Sequence, residues 1–160
     1  MGTKTVFQPI KPDPSGEPNS FVPDGPPVVT DTRDLSDAAA EALSRLADHC
    51  QALYDAGYNF AGRNFQIDPV SLQNVNGAAT LALVSQATGQ PWPATFVWIA
   101  SDNTTMPVPD APTMIGFAAS VANHVTTLIL TNRALKDAIA VLPDVASCDA
   151  FDVTQGWPKN

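Results

Sequence analysis

Apolar residues recur at helical spacing in three stretches of this chain, and at strand spacing in two short stretches between them. Over residues 35–56, Ala39, Leu43, Leu46, Cys50 and Leu53 follow one another at alternating steps of four and three, which places them on one face of a helix. Arg45, Asp48 and Asp55 fall off that seam, and Gly57 supplies the stop. The segment from Tyr58 to Ile67 then alternates at period two. A two-residue loop at Gly62-Arg63, with glycine first as a type II′ turn prefers, pairs Phe60 with Phe65 and Tyr58 with Ile67 on one face.

Asp68-Pro69 opens a second helix, the carboxylate as N-cap and the proline in the first turn. Its seam is Leu72, Val75, Ala79 and Ala82, and Gly89 with Pro91 ends it. Asn76-Gly77 is a turn signal inside it, predicting either a break or close packing against a neighbour. From Thr95 to Ser101 the chain is β-rich on both faces. A tight turn at Asp102-Asn103 sets Val97 opposite Val108 and Ile99 opposite Met106, with Pro107 marking an edge strand. Phe96 and Trp98 then point away from Val97 and Ile99, to be covered by a helix or to form a contact patch.

Asp110 caps a last helix with Pro112 in its first turn, and Met114, Phe117, Val121, His124, Leu128, Leu135 and Ile139 form its stripe up to Pro143. Thirty residues of helix span about 45 Å, more than a small hairpin body covers. Either its far half meets another chain, or the first helix lies along it as an antiparallel partner. Residues 143–160 keep Val145, Phe151, Val153 and Trp157, which suit a short packed strap. The pattern therefore predicts an α+β fold: a helix–hairpin–helix–hairpin–long helix body over residues 35–142, followed by a C-terminal strap.

Residues 1–34 differ in kind. They hold Pro9, Pro12, Pro14, Pro18, Pro23, Pro26 and Pro27, almost half of the fifteen prolines, so they read as an extended or polyproline II arm. Ordering a residue costs about 1–2 kcal/mol of backbone entropy, tens of kcal/mol over the arm. Burial of Val6, Phe7, Ile10, Phe21, Val22, Val28 and Val29 returns about 10–20 kcal/mol. The arm is expected to need support, from its own body or, as the favoured reading, from another subunit. Phe7, Ile10, Phe21 and Val22 are its candidate partner-binding residues, joined by Phe96 and Trp98 of the body.

Charge narrows the partners. The net charge is -8, and the eight basic residues are scattered, whereas a nucleic-acid reader needs a Lys/Arg patch. No membrane insertion is expected, because no stretch is read as approaching the roughly 18 apolar residues of a span and Met1–Ile10 has no signal-peptide core. Cys50 and Cys148 form no C-x-x-C pair; Cys50 reads as core packing, and a bridge between the two stays open.

Catalytic chemistry finds little purchase. His49 and His124 are the only histidines, His124 on an apolar stripe and His49 about 100° around the helix from Cys50. Asp68 and Asp110 are capping residues, Asp102 belongs to a turn, and Asp48 and Asp55 lie on a solvated face. No H-x-x-x-H, calcium loop, phosphate loop, dinucleotide fingerprint or G-x-S-x-G is present. No catalytic, metal or cofactor-binding residue is expected, and the chain is read as no enzyme.

Phe65-Gln66-Ile67-Asp68 with Ser71, then Trp98 with Asp102-Asn103, then Leu135-Lys136 stand in an order that resembles a phage tail-associated domain family of unknown function, found in tail-fibre and tail-fibre-assembly-like proteins. The resemblance covers residues 38–142. It implies a structural or adaptor protein of a bacteriophage tail, made in the host cytoplasm and located in the virion. Its partners would be other tail or fibre proteins in a homo- or hetero-oligomeric assembly. The alternative is a transient tail-fibre assembly chaperone, and a hydrolase of host surface glycan is a third reading, one that requires a carboxylate pair in a cleft.

Overall fold

The computed structural model describes residues 33–160 and, before them, only the backbone of four short strands: Thr3–Val6 (β1), Ile10–Pro12 (β2), Phe21–Pro23 (β3) and Val28–Asp31 (β4). These pair antiparallel, β1 with β4 and β2 with β3. The body is α+β, a helix–hairpin–helix–hairpin–long helix arrangement: Leu35–Ala56 (α1), Tyr58–Phe60 (β5), Arg63–Phe65 (β6), Pro69–Thr88 (α2), Val97–Ile99 (β7), Thr105–Pro107 (β8) and Ala111–Ile139 (α3). A six-residue helix, Val145–Ala150 (α4), follows within the C-terminal strap; the apolar pattern did not foresee it.

Every α-helix starts on an aspartate. Asp34, Asp68, Asp110 and Asp144 each accept from a backbone N–H of the first turn, at 2.7–3.1 Å, satisfying donors that have no partner inside the helix. Asn76-Gly77 does not break α2, which runs unbroken from Pro69 to Thr88.

Helix α3 is the axis of the body. Its Met114, Phe117, Ala118, Val121 and Leu128 are buried in one cluster with Phe65 and Ile67 of the first body hairpin, Val75 and Ala82 of α2, and Met106 and Val108 of the second hairpin. Its far end, at Ile139, joins Ala42 and Leu46 of α1 and Val153 of the strap in a second cluster. Tyr58, just after α1, donates to or accepts from Ser120 at 2.6 Å. Helix α1 therefore lies antiparallel along the second half of α3, the cis arrangement of the two predicted. The buried face of α1 is Ala38, Ala42 and Leu46, rotated from the predicted seam so that Leu43 faces outward. Alanines let the helices and α4 approach closely where leucines would hold them apart.

Both hairpin registers differ from expectation. In the first, the loop is Ala61-Gly62, not Gly62-Arg63, and both residues take positive φ (51° and 76°), the geometry of a type I′ turn. Tyr58 opposes Phe65 and Phe60 opposes Arg63. The shift is by a whole pair, so Tyr58, Phe60 and Phe65 keep their common face. The second hairpin turns through three residues, Ser101-Asp102-Asn103. Asn103 is left-handed (φ 63°), and Asp102 Oδ1 accepts from the Thr104 N–H at 2.9 Å. The extra residue slips the register by one, so Val97 opposes Pro107, Trp98 opposes Met106 and Ile99 opposes Thr105. A one-residue slip inverts the return strand, so Trp98 and buried Met106 share the core face and Val97 and Ile99 are left outside.

The strap returns along α1. Arg45 donates to the Cys148 carbonyl at 2.7 Å, and Arg33 pairs with Asp149 at 2.7 Å and with Glu41. Trp157 Nε1 donates to the Val153 carbonyl and its ring lies 5.6 Å from His49. Asn160 closes the path, accepting from the Asn59 N–H and donating to the Gly57 carbonyl. Cys50 and Cys148 are both free thiols, which closes the question of a bridge; burial pushes the Cys50 pKa up.

Candidate interaction surface

Charge is segregated along the sequence, and the fold turns that into a face. Between Pro69 and Asn132 the only charged residues are Asp102 and Asp110. That span is all of α2, the second body hairpin and the first three-quarters of α3. Charge returns on α1 (Asp37, Glu41, Arg45, Asp48, Asp55), at the end of α3 (Arg133, Lys136, Asp137) and around α4.

Among the described residues a cleft of about 200 Å³ runs between α2 and α3 themselves, and two further concavities border these helices. The larger, of about 610 Å³, lies where the end of α1, the start of α2 and the middle of α3 meet. Tyr54, Ile67, Leu72, Val125 and Ile129 give it an apolar lining, and Gln51, Asp55, Asp68, Gln73 and Asn76 a polar rim without a cation. The seams of three helices supply the lining, so it is stiffer than a loop-built site. The smaller, of about 360 Å³, lies between β7 and α2 and is lined by Gln66, Ser71, Asn74 and residues 96–99.

The predicted partner-binding residues fall in three places. Phe7 lies outside the described residues. Ile10 is in β2 opposite Pro23, while Phe21 and Val22 are in β3 opposite Pro12 and Lys11; their side chains are outside the described set. Phe96 and Trp98 are half-buried on the core side of the second hairpin: Trp98 is 5.8 Å from Phe117 and 6.3 Å from Phe96, which in turn meets Trp92 at 5.0 Å. The exposed apolar residues of that hairpin are Val97 and Ile99, and Val70, Leu81, Leu83 and Val84 of α2 and Ile129 and Leu130 of α3 also stand in solvent. The motif reading missed these. The signal was the long run without a charged residue, which no local periodicity reports.

The uncharged stretch also corrects the reading that no stretch approaches a membrane span in length and apolarity. Helix α3 is long and apolar enough to cross one by length and composition, with an 18-residue window of mean hydropathy 1.4. The polar positions of its middle, Ser120, Asn123, His124, Thr126 and Thr127, carry no Asp, Glu, Lys or Arg and interrupt the apolar stripe without much lowering the mean. In the fold this helix is the central core element.

Titratable groups are engaged in holding the fold. Hydrogen bonds from Ser71, Thr104, Thr113, Ser147 and Thr154 hold the carboxyls of Asp68, Asp102, Asp110, Asp144 and Asp152 below the usual carboxylate range. His124 stacks on Tyr58 with centroids 4.6 Å apart, and partial burial lowers its pKa. Among the described residues no three His, Cys, Asp or Glu side chains gather as a metal site would require.

Residues 37–154 match the model of a domain of unknown function, DUF4376. The chain belongs to that family. The matched unit begins two residues inside α1 and runs past α4 to Thr154, so the family domain includes most of the strap and excludes the first 36 residues. It reaches further than residues 38–142, because α4 completes the packing of α1 through buried Cys148. No curated protein and no solved structure matches the chain.

Proposed function

We propose that this member of the DUF4376 family is a non-enzymatic structural or adaptor protein of a bacteriophage tail. In this reading the N-terminal segment tethers it and its uncharged face holds a fibre or baseplate neighbour. The observation that carries the reading is the apolar groove of about 610 Å³ between α1, α2 and α3, open to the outside and flanked by exposed Ile129. A contiguous apolar surface of this kind marks a protein-binding or ligand-binding groove. Asp55 and Asp68 on its rim favour a partner segment whose apolar side chains are flanked by lysine or arginine.

The tail assignment rests on the motif resemblance. The residues that carry it build the fold: Phe65 and Ile67 are buried, Asp68 and Ser71 start α2, and Asp102-Asn103 form the turn. They support membership of a common architecture and leave the groove as the place where a partner is chosen. Mass spectrometry of purified phage particles tests the assignment. The chain is expected in stoichiometric amounts in mature virions, and its absence from them refutes the structural reading. Co-purification with unassembled fibre subunits, together with absence from particles, replaces it with the transient assembly chaperone.

A further inference from the structure

The second body hairpin has two edges, and only one of them is guarded. Its ladder runs through Phe96, Trp98 and Ala100. The Val108 N–H donates to the Phe96 carbonyl at 3.0 Å, Trp98 lies opposite Met106, and the Ala100 N–H donates to the Thr104 carbonyl at 2.8 Å. Bonded positions alternate along an antiparallel pair, so Val97 and Ile99 turn their N–H and C=O groups away from β8. By the same alternation Thr105 and Pro107 form the outer edge of β8, where the proline offers no donor to an incoming strand. The β7 edge carries neither proline nor lysine.

That open edge faces a slot. Just beyond β7 the Ser101 N–H donates to the Asn64 carbonyl at 2.9 Å, so β6 reaches the position of a third strand at one point. The chain then leaves β6 at Phe65 and turns into α2 at Asp68. A gap of about 360 Å³ opens there along residues 96–99, walled by Gln66, Ser71 and Asn74. Among the described residues no hydrogen bond uses the N–H or C=O of Val97 or Ile99.

We propose that this slot is a strand-addition site, in which an extended segment of a partner protein lies along β7 as its third strand and exchanges backbone hydrogen bonds with Val97 and Ile99. Two N–H and two C=O groups, repeating at every second residue along one line, are complemented by an extended peptide backbone. The side chains of that segment are uncharged, because Gln66, Ser71 and Asn74 offer hydrogen bonds but no charge to pair with. Alternate ones lie beside Val97 and Ile99, which are 44% and 64% exposed, and pack on them. Two other occupants are disfavoured. Strands β1 to β4 of this chain pair with one another. The β7 of a second copy is walled by its own α2, and one slot does not enter another. The site is separate from the groove between α1, α2 and α3 and does not depend on the tail assignment.

The test uses the full-length chain, labelled with nitrogen-15, and a panel of capped hexapeptides that alternate valine or threonine with serine or asparagine. In the free chain the Val97 and Ile99 amides are expected to exchange rapidly, and at least one peptide at about 1 mM to shift and protect them. Methylating the peptide nitrogens along one edge should weaken that peptide about tenfold or more, and along the other edge hardly at all, because an added strand bonds through one edge only. Ile99→Pro copies the guard at Pro107 without removing a ladder bond, and should abolish the response. No protection at about 1 mM peptide overturns the proposal, as do equal effects of the two methylation patterns, full binding to Ile99→Pro, or shifts at Tyr54 and Val125 of the groove instead. So does protection of both amides in the free chain, which would mean that residues 1–32 or a second copy fills the slot, or a response to a neutral sugar such as cellobiose and to no peptide. If Ile99→Pro fails to fold, the methylated peptides still decide.

Discussion

Phe117 is the residue on which the two body hairpins and α3 converge, and its removal is the most demanding test of the packing described above. The side chain is fully buried, and three rings surround it: Phe65 at 4.9 Å in an edge-on arrangement, Phe60 at 5.2 Å and Trp98 at 5.8 Å. Replacing a buried phenylalanine by alanine costs about 3–5 kcal/mol, combining the lost transfer free energy with the cavity left behind. Aromatic pairs add about 0.5–1.5 kcal/mol each beyond buried area, so a site that loses three belongs near the upper end, at about 4–5 kcal/mol. The neighbours have little freedom to collapse into the gap. Phe60 and Phe65 are fixed by the type I′ hairpin, and Trp98 lies opposite Met106 in a ladder extended by the Val108 N–H to Phe96 carbonyl bond at 3.0 Å.

Urea unfolding of Phe117→Ala, followed by tryptophan fluorescence at fixed protein concentration, measures the loss. With a slope of about 2 kcal/mol per molar, the midpoint should fall by about 2 M while the slope stays constant. Phe117→Leu, which refills much of the volume, should recover more than half. A loss below about 1.5 kcal/mol for the alanine variant would mean that the rings re-pack freely. The second hairpin would then not be anchored through Phe117, and the inward placement of Phe96 and Trp98 would fall with it.

Two glycines should respond in opposite directions. At Gly57 (φ 78°) a Cβ collides with Asn64 Oδ1 and comes within 2.6 Å of the Phe65 carbonyl, so Gly57→Ala should destabilise by about 2 kcal/mol or more; at Gly116 it meets nothing, so Gly116→Ala should stabilise by about 0.5–1 kcal/mol, both read by urea midpoint. The five aspartates with depressed pKa values contribute stability that is present above the ordinary value of 3.8 and lost as pH falls through their lower folded values, so melting temperature should drop most steeply below about pH 4. Thr113→Val, which removes the largest cause of the shift at Asp110, should raise that carboxyl's titration midpoint by NMR. His124 should titrate below the ordinary 6.5, because burial disfavours the cation; the fold then favours the neutral ring, and stability should decline as pH falls below 6.5 in wild type and not in His124→Gln.

The architecture was legible in the sequence because each element carried its own punctuation. Asp68-Pro69 and Asp110 with Pro112 announced two helix starts by the chemistry that builds them, and Gly57 announced a stop. The hairpin registers were not legible to the same degree, because a turn type depends on which residues accept positive φ. Ala61 takes φ 51° ahead of Gly62, against its own preference, and Asn103 does the same with Asp102 bonding forward to Thr104. Choosing a two-residue loop at Asp102-Asn103 sets Met106 and Val108 opposite Ile99 and Val97, whereas the three-residue turn sets Met106 opposite Trp98. The seam of α1 was misread for a related reason: a leucine count favours Leu43, while the packed face is chosen by the alanines that let α4 and α3 come close.

The surface was hidden for a different cause, since it is defined by residues that are absent. A motif search asks what a short window contains; the interaction face is visible only as the lack of charge over α2 and most of α3, at a scale longer than any motif. An uncharged apolar face raises the hazard of non-specific association, and nothing in the packing of α2 compels it, because Thr80, Leu81, Val84 and Thr88 are exposed and would accept glutamate or lysine without disturbing α3. Within the body, most of the remaining charge is on α1, the end of α3 and the strap. That distribution gives the molecule one side that repels its copies and one that does not, so encounters are oriented before any contact forms. In the proposed reading, the groove beside α2 is where a partner is met. Adding a single glutamate at Leu81 should therefore raise the concentration at which the protein aggregates while weakening whatever the face binds, whereas the same charge added on α1 should do neither.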